Sequence, residues 1–182
     1  MADEAQAEAY AAADLSELQQ VMVSCFQSRC GALAEGGTLL DLGCGAGDMT
    51  IRFVRAHDSI TALGVDGSEP LLRHAQTAVR ESGLSDRVRL EQRRILDAAL
   101  ETRSFDAVIA NSVLHHLADP GTLWQTARHC AKPGAPVMVM DLRRPADPEA
   151  AARLVETYAH EARPILQRDF FNSLCAAYRR DE

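Results

Sequence analysis

Apolar residues in this chain gather in short solid runs, separated by longer stretches where they recur every three or four positions. The runs are Thr38-Leu39-Leu40-Asp41-Leu42, Ile60-Thr61-Ala62-Leu63-Gly64-Val65-Asp66, Phe105-Asp106-Ala107-Val108-Ile109-Ala110 and Val137-Met138-Val139-Met140-Asp141-Leu142, and the shorter Val88 to about Glu91 is read as a strand between the second and third of them. Runs of this length bounded by turn residues predict buried strands of a parallel sheet. Helical spacing between and after them predicts helices from Met49 to about His57, Ser68 to about Ser82, Pro120 to Cys130, Pro148 to Ala162 and Ile165 to Tyr178. Ser68 is placed to cap the second of these, with Pro70 in its first turn and Gly83 closing it. Ahead of the first strand, Leu15, Leu18, Val21, Met22, Cys25 and Phe26 mark a helix over Leu15 to Leu33, with Ser16 or Asp14 as N-cap and Gly36-Gly37 as the break. Met1 to about Asp14 is rich in Ala, Glu and Gln and weakly patterned, which reads as a frayed helix or a mobile arm. Strands that alternate with helices imply right-handed crossovers, and so an α/β, doubly wound sheet with helices on both faces.

Length changes this picture little: 182 residues make one domain. Its parts are a helical arm or lid (1–35), a Rossmann-like core (36–145) and closing helices (146–182). A net charge of −7 argues against a nucleic-acid footprint, which wants a basic face. No basic-then-apolar leader opens the chain and no apolar run is long enough to span a membrane. The five cysteines (Cys25, Cys30, Cys44, Cys130, Cys175) are odd in number and lack metal-type pairing. Neither His129-Cys130 nor His115-His116 has a partner at ligand spacing. Reduced thiols in a cytoplasmic protein, with no metal centre, are the expectation.

The candidate chemistry lies where the first strand ends. Gly43, Gly45 and Gly47 alternate with small residues directly after Asp41-Leu42, so a ligand can lie against bare backbone. Asp66 ends the second strand, placed to accept from both hydroxyls of a ribose. Nicotinamide sites use the same two elements, but their fingerprint leaves two residues between its second and third glycines, and here there is one. Asp41 also disfavours pyrophosphate, because a fixed negative charge prefers an ammonium or sulfonium.

Leu40-Asp41-Leu42-Gly43-Cys44-Gly45-Ala46-Gly47, Gly64-Val65-Asp66-Gly67-Ser68, Phe105 to Asn111 with Leu114-His115-His116-Leu117, and Lys132-Pro133-Gly134 occur in an order and spacing that resembles the class I S-adenosylmethionine-dependent methyltransferases. The resemblance covers roughly Leu33 to Leu142; Asp141 to Pro145 and Arg168 to Leu174 are similar to a bacterial, small-molecule subgroup. It implies strand order 3-2-1-4-5 and direct displacement of the methyl of S-adenosylmethionine by oxygen, nitrogen or carbon of a small metabolite, leaving S-adenosylhomocysteine. The implied cofactor residues are Asp41, Gly43, Cys44, Gly45 and Gly47 in the turn, Asp66 and Gly67 at the ribose, Arg94 and Ile95 at the adenine, and Asn111 and Ser112 at the methionine end. In the family's register Arg94 stands before the third crossover helix, where an acid normally accepts from the adenine amino group. Arginine cannot accept, and a lost bond of that kind costs about 1–3 kcal/mol. Asp97 is the substitute if the loop is shifted.

A base is needed only when the nucleophile must lose a proton. His116 and His115 follow the fourth strand at the mouth of the site and are the candidates. Asp141 orients a substrate or caps the next segment, and Arg143 and Arg144 bind an anionic substrate or stay solvated. The family closes its sheet with two further strands that are absent here, which leaves the fifth strand as an apolar edge. A chain shorter than its relatives, a partner chain supplying the edge, or the final helices folding across it would each account for this; the expectation is the first, with a homodimer covering that edge. The competing function is a non-catalytic relative that binds the cofactor or a partner protein.

Overall fold

A computed structural model of the chain describes residues 4–13, 15–95 and 100–180. Its centre is one five-stranded sheet, ordered β3-β2-β1-β4-β5, from β1 (Thr38–Leu42), β2 (Thr61–Asp66), β3 (Val88–Gln92), β4 (Ala107–Asn111) and β5 (Val137–Met140). Every neighbouring pair is parallel, as expected for strands joined by crossovers. The helices are α1 (Glu4–Ala11), α2 (Ser16–Cys30), α3 (Asp48–Ala56), α4 (Glu69–Glu81), α5 (Gly121–Cys130), α6 (Pro148–Ala159) and α7 (Pro164–Ala176), with a 3₁₀ turn at Leu114–His116.

Side-chain alternation along β1 sorts the core into two halves. Leu39 points into a cluster with Met22 and Phe26 of α2, Phe53 and Val54 of α3, Val79 of α4 and Ile109 of β4. Leu40 and Leu42 point the other way, against Val65, Val108, and Leu123 and Ala127 of α5. Helices therefore cover both faces. Asp41 shares its face with Leu39, and that places a carboxylate under α3. At the opposite end of the sheet, Asp106 Oδ2 accepts from Thr38 N and Oγ1 at 2.9 Å, and Lys132 Nζ donates to Oδ1 at 2.8 Å. Two of the recognised motif segments thus splice β1 to β4 far from the site.

Several boundaries differ from the sequence reading, each for a local reason. Helix α2 stops at Cys30, not Leu33, because Gly31 adopts φ 78° and its N–H returns to Gln27 O. Leu15, not Ser16, stands at the N-cap position of that helix and makes no side-chain cap bond, and Asp14 lies outside the described residues. Its buried face is Gln19, Met22, Val23 and Phe26, whereas Leu18 and Val21 are about 65% and 60% exposed. The stripe is narrow, and its main helical neighbour is α3: Phe26 meets Phe53 edge-on at 5.3 Å, and Arg52 Nε donates to Gln19 at 2.8 Å. Strand β5 ends at Met140, not Leu142, since Asp141 Oδ1 accepts from Leu142 N at 2.7 Å and turns the chain out of the ladder. No helix occurs among the described residues between β3 and β4 where the family places its third crossover helix. Leu100 of that loop is buried in the cluster with Val108 and Leu123, and Thr126 Oγ1 donates to Ile95 O at 2.8 Å.

The N-terminal segment forms a helix with Ala7 and Ala9 fully buried. Helix α1 spans from α4, where Glu4 pairs with Arg73, to α7, where Gln6 Nε2 donates to Asp169 Oδ2 at 2.7 Å. It is a strap over the carboxyl ends of the strands and not a loose arm.

Candidate functional site

The turn after β1 sits tightly against its surroundings. Gly43 N and Cys44 N donate to Val65 O at 2.8 and 3.0 Å, and Gly47 N closes back on Cys44 O at 2.9 Å. Gly43 lies at φ 77°, and a Cβ there would fall 2.5 Å from Val113 Cγ2. Only glycine combines that conformation with that approach. Gly45 differs: a Cβ there would meet nothing within 4 Å. Its surface is open backbone, the feature a ligand needs. Gly67 is open in the same way.

Asp66 holds the turn in place. Its Oδ2 accepts from Gly45 N at 2.9 Å and its Oδ1 from Ser68 N at 2.7 Å. Each oxygen keeps a second lone pair. The carboxylate can position the turn and still accept from a diol. Ser68 caps α4 through its hydroxyl, as its position in the sequence implied.

Asp41 is nearly solvent-free, at 1% exposure. Its Oδ2 accepts from Thr50 Oγ1 of α3 at 2.5 Å, while Oδ1 has no partner. Burial lifts its carboxyl from 3.8 to about 7, with the Thr50 bond opposing and the Asp66 charge adding to the rise. Cys44, beside it, is pushed well above the ordinary thiol range by burial and then by the charges of Asp41 and Asp66. Thr50 carries no motif signal; only its position one turn into α3 could have pointed to it.

Beyond β4, Ser112 takes φ 54°, unusual for a residue with a side chain, and its N–H donates to Met140 O at 2.9 Å. Asn111 is half-buried beside it. The two histidines then diverge. His115 is buried, with Nδ1 2.6 Å from Asp141 Oδ1, and its Nε2 is buried without a partner. His116 is exposed, its ring centroid 4.1 Å from that of His115. Partial desolvation and the neighbouring imidazole hold His116 below the ordinary histidine value. Asp141 also accepts from Leu114 N at 2.6 Å. Burial works against its ionisation, but the bonds from His115, Leu114 and Leu142 outweigh it and the carboxyl lies below its usual range. Asp141 therefore caps the next segment and also grips His115.

Tyr10 of α1 lies over this end of the site: burial, then the charges of Asp169 and Asp141, raise its phenol. Tyr178 Oη donates to Leu117 O at 2.5 Å, which fixes the end of α7 above the histidines. Arg144 is engaged by that same segment, donating from Nε to Ala177 O at 2.7 Å, whereas Arg143 is exposed. On the far side, Arg93 N donates to Asp66 O at 3.0 Å. Arg94 is exposed and Ile95 half-buried. Asp97 lies outside the described residues.

The arrangement has the chemistry for a cationic nucleoside: open backbone, a diol acceptor and an unpaired buried carboxyl, next to a carboxylate-held imidazole. A family model described as a methyltransferase domain matches residues 40–137. The chain is 35% identical over 124 residues to a ubiquinone biosynthesis O-methyltransferase of Caulobacter vibrioides, a match covering 68% of this chain and 48% of that protein. It spans about half the length of the relatives it matches. Among solved structures, an S-adenosylmethionine-dependent methyltransferase from Aquifex aeolicus superposes with TM-score 0.67 at 22% identity, over 81% of this chain and 77% of that one. The [4+2]-cyclase SpnF superposes with TM-score 0.64 at 26% identity, over 75% and 50%.

Between 3.8 and about 7 the unfolded chain has released the Asp41 proton and the folded chain has kept it. The native state binds more protons there, so this group makes stability fall as pH rises through that window and adds no slope on either side. Asp41→Asn keeps the Thr50 bond and cannot ionise. Its unfolding free energy, minus that of the native protein, is expected to grow by roughly 2–4 kcal/mol from pH 4 to pH 7 and then level off. Urea denaturation across this range measures it; a difference independent of pH would show that Asp41 is not held protonated.

Proposed function

We propose that this chain, which belongs to the methyltransferase-domain family, moves the methyl group of S-adenosylmethionine onto oxygen, nitrogen or carbon of a small molecule. The observation that carries the reading is the tie between Asp66 and Gly45, which sets a diol acceptor beside an open stretch of backbone. When bound, S-adenosylmethionine supplies an electrophilic methyl on a sulfonium, open to in-line displacement. The chain's own residues bind and orient. Gly43, Cys44, Gly45 and Gly47 present backbone, and Asp66 and Gly67 face the ribose. Ile95 and the aliphatic part of Arg94 border the adenine, and Asn111 and Ser112 close the methionine end. Alignment of the two partners supplies much of the rate in such a reaction.

For a hydroxyl acceptor the geometry favours His115 over His116, reversing the preference of the sequence. Asp141 accepts from Nδ1–H, which leaves Nε2 of the neutral ring as the proton acceptor. That atom is buried and has no partner in the protein. His115 takes the acceptor's proton at Nε2, and Asp141 holds the ring in the right tautomer. His116 lacks such a partner.

One observation favours a second reading. A neighbour in fold at 26% identity is a [4+2]-cyclase, so the fold does not by itself determine the reaction. A non-methylating protein that binds the nucleoside or a partner protein is that alternative, and binding without turnover marks it. A small-molecule substrate, not nucleic acid, suits the net charge of −7. Among the described residues no helix is long and apolar enough to cross a membrane. We place the protein in the cytoplasm, where its five cysteines stay as free thiols.

β5 is the last strand of the sheet and its residues are partly exposed. We assign the cover of that edge to a second copy of the chain. Light scattering is expected to give twice the mass of one chain; a monomer at high concentration refutes the assignment.

Calorimetry with S-adenosylmethionine tests the donor. Asp66→Ala is expected to weaken binding by about 1–3 kcal/mol, and unchanged affinity would displace the ribose from Asp66. For the base, His115→Gln and Asp141→Asn are each expected to slow transfer to a hydroxyl acceptor by about 10²–10⁴ while donor binding persists. Together they should cost little more than one alone, since the pair acts as a unit. Additive losses, or an equal loss in His116→Gln, would move the base elsewhere.

A further inference from the structure

We propose that Asp41 is a proton-exchange site in the cofactor pocket. Its carboxyl keeps a proton in the free protein and releases it to solvent when a cationic group of the ligand settles beside Oδ1. This rests on the S-adenosylmethionine reading above and deepens it, by assigning an atom and a proton count to binding.

The geometry leads there directly. A carboxylate with 1% exposure is unstable unless a cation or several donors meet it. Asp41 has one donor, the neutral hydroxyl of Thr50, and that bond goes to Oδ2. Oδ1 is left with nothing. Beside Asp41 in the sheet stand Gly64 of β2 and Ile109 of β4, neither with charge to offer. The titratable groups acting nearby are the Cys44 thiol of the turn and the Asp66 carboxylate of β2. The thiol is neutral and the carboxylate repels a second negative charge. In α3, Asp48 and Arg52 act on each other, and Arg52 also donates to Gln19. Among the described residues no basic side chain therefore neutralises Asp41, and the ionised form gains its support when a ligand brings it.

With Thr50 donating to Oδ2, the proton belongs on Oδ1, where it is a buried donor without an acceptor. Both states of the free carboxyl thus leave one atom unsatisfied. An ammonium or sulfonium next to Oδ1 removes the defect. The exchange balances as carboxylic acid plus cationic ligand giving a carboxylate–cation pair plus one proton delivered to the buffer. Nothing is oxidised or reduced. S-adenosylmethionine carries both cations, and S-adenosylhomocysteine carries the ammonium alone.

Titration calorimetry of the native protein at pH 6, in buffers of different ionisation heat, reads the exchange. The expected result is about one proton released per S-adenosylmethionine bound, falling toward none at pH 8.5. The dissociation constant should fall about tenfold for each unit that pH rises toward neutrality and stay flat above it. Asp41→Asn should bind with heats that no longer depend on the buffer. Release with S-adenosylhomocysteine as well assigns the ammonium, and release with S-adenosylmethionine alone assigns the sulfonium; either upholds the exchange. Binding with the same heat in every buffer at pH 6, or release undiminished in Asp41→Asn, would overturn this proposal and leave the donor assignment standing. Absence of binding at every pH would overturn the donor assignment and this proposal with it.

Discussion

The bare α-carbon of Gly43 is the constraint on which the site depends. A methyl there would lie 2.5 Å from the Val113 side chain, well inside contact distance. With hydrogen in its place, the turn after β1 nests against the segment after β4, and the two neighbouring strand tips form one surface. Everything with chemical potential hangs from that junction. Asp41 precedes the turn, Asp66 grips it at Gly45, and Ser112 to His116 follow directly from the segment it touches. A close backbone approach, and not a side chain, is what brings the carboxyls and imidazoles of three strands to one end of the sheet.

Three aspartates at that end show how environment divides one functional group into different roles. Asp66 is knit into backbone by two N–H donors and serves as a rigid acceptor. Asp141 collects His115, Leu114 N and Leu142 N, a set that favours its charge although it is half-buried. Asp41 has a single hydroxyl and deep burial, which disfavours its charge. The first fixes geometry, the second fixes a tautomer, and the third is left one ligand short. Sequence spacing cannot separate them, since each is simply an acid at or after a strand end. Their hydrogen-bond partners do.

What the sequence made legible follows from period and from glycine. Solid apolar runs located β1, β2, β4 and β5, whereas β3, at the sheet edge, alternates Val88 and Leu90 with Arg89 and Glu91; the glycine turn and Asp66, both singled out in the sequence, do come together at the strand ends. Period was less informative where burial was narrow. Leu18 and Val21 fit a helical stripe but point to solvent, because α2 buries only the narrow face made by Gln19, Met22, Val23 and Phe26. The two histidines had the same prior on sequence, and only the fold placed Asp141 opposite one of them. Thr50 was silent for the same reason: a hydroxyl one helical turn from a glycine has no signature until the helix is laid over the strand. Helix α1 has almost no amphipathic pattern, since alanines bury without one, so its place as a strap could not be read from its residues.

That strap bears on where specificity resides. The family match runs from residue 40 to 137, which takes in the turn, Asp66 and both histidines. Tyr10 and Gln6 of α1, Asp141, Asp169 of α7 and Tyr178 all fall outside it, yet they converge above the histidines. The matched stretch therefore carries the turn, Asp66 and the histidines, and the segments outside it fold over that end of the sheet. Neighbours that keep the sheet can carry names as different as methyltransferase and cyclase for the same physical reason. A parallel sheet with a glycine turn dictates what is held at the strand tips, whereas the segments folded over those tips decide what is admitted beside it.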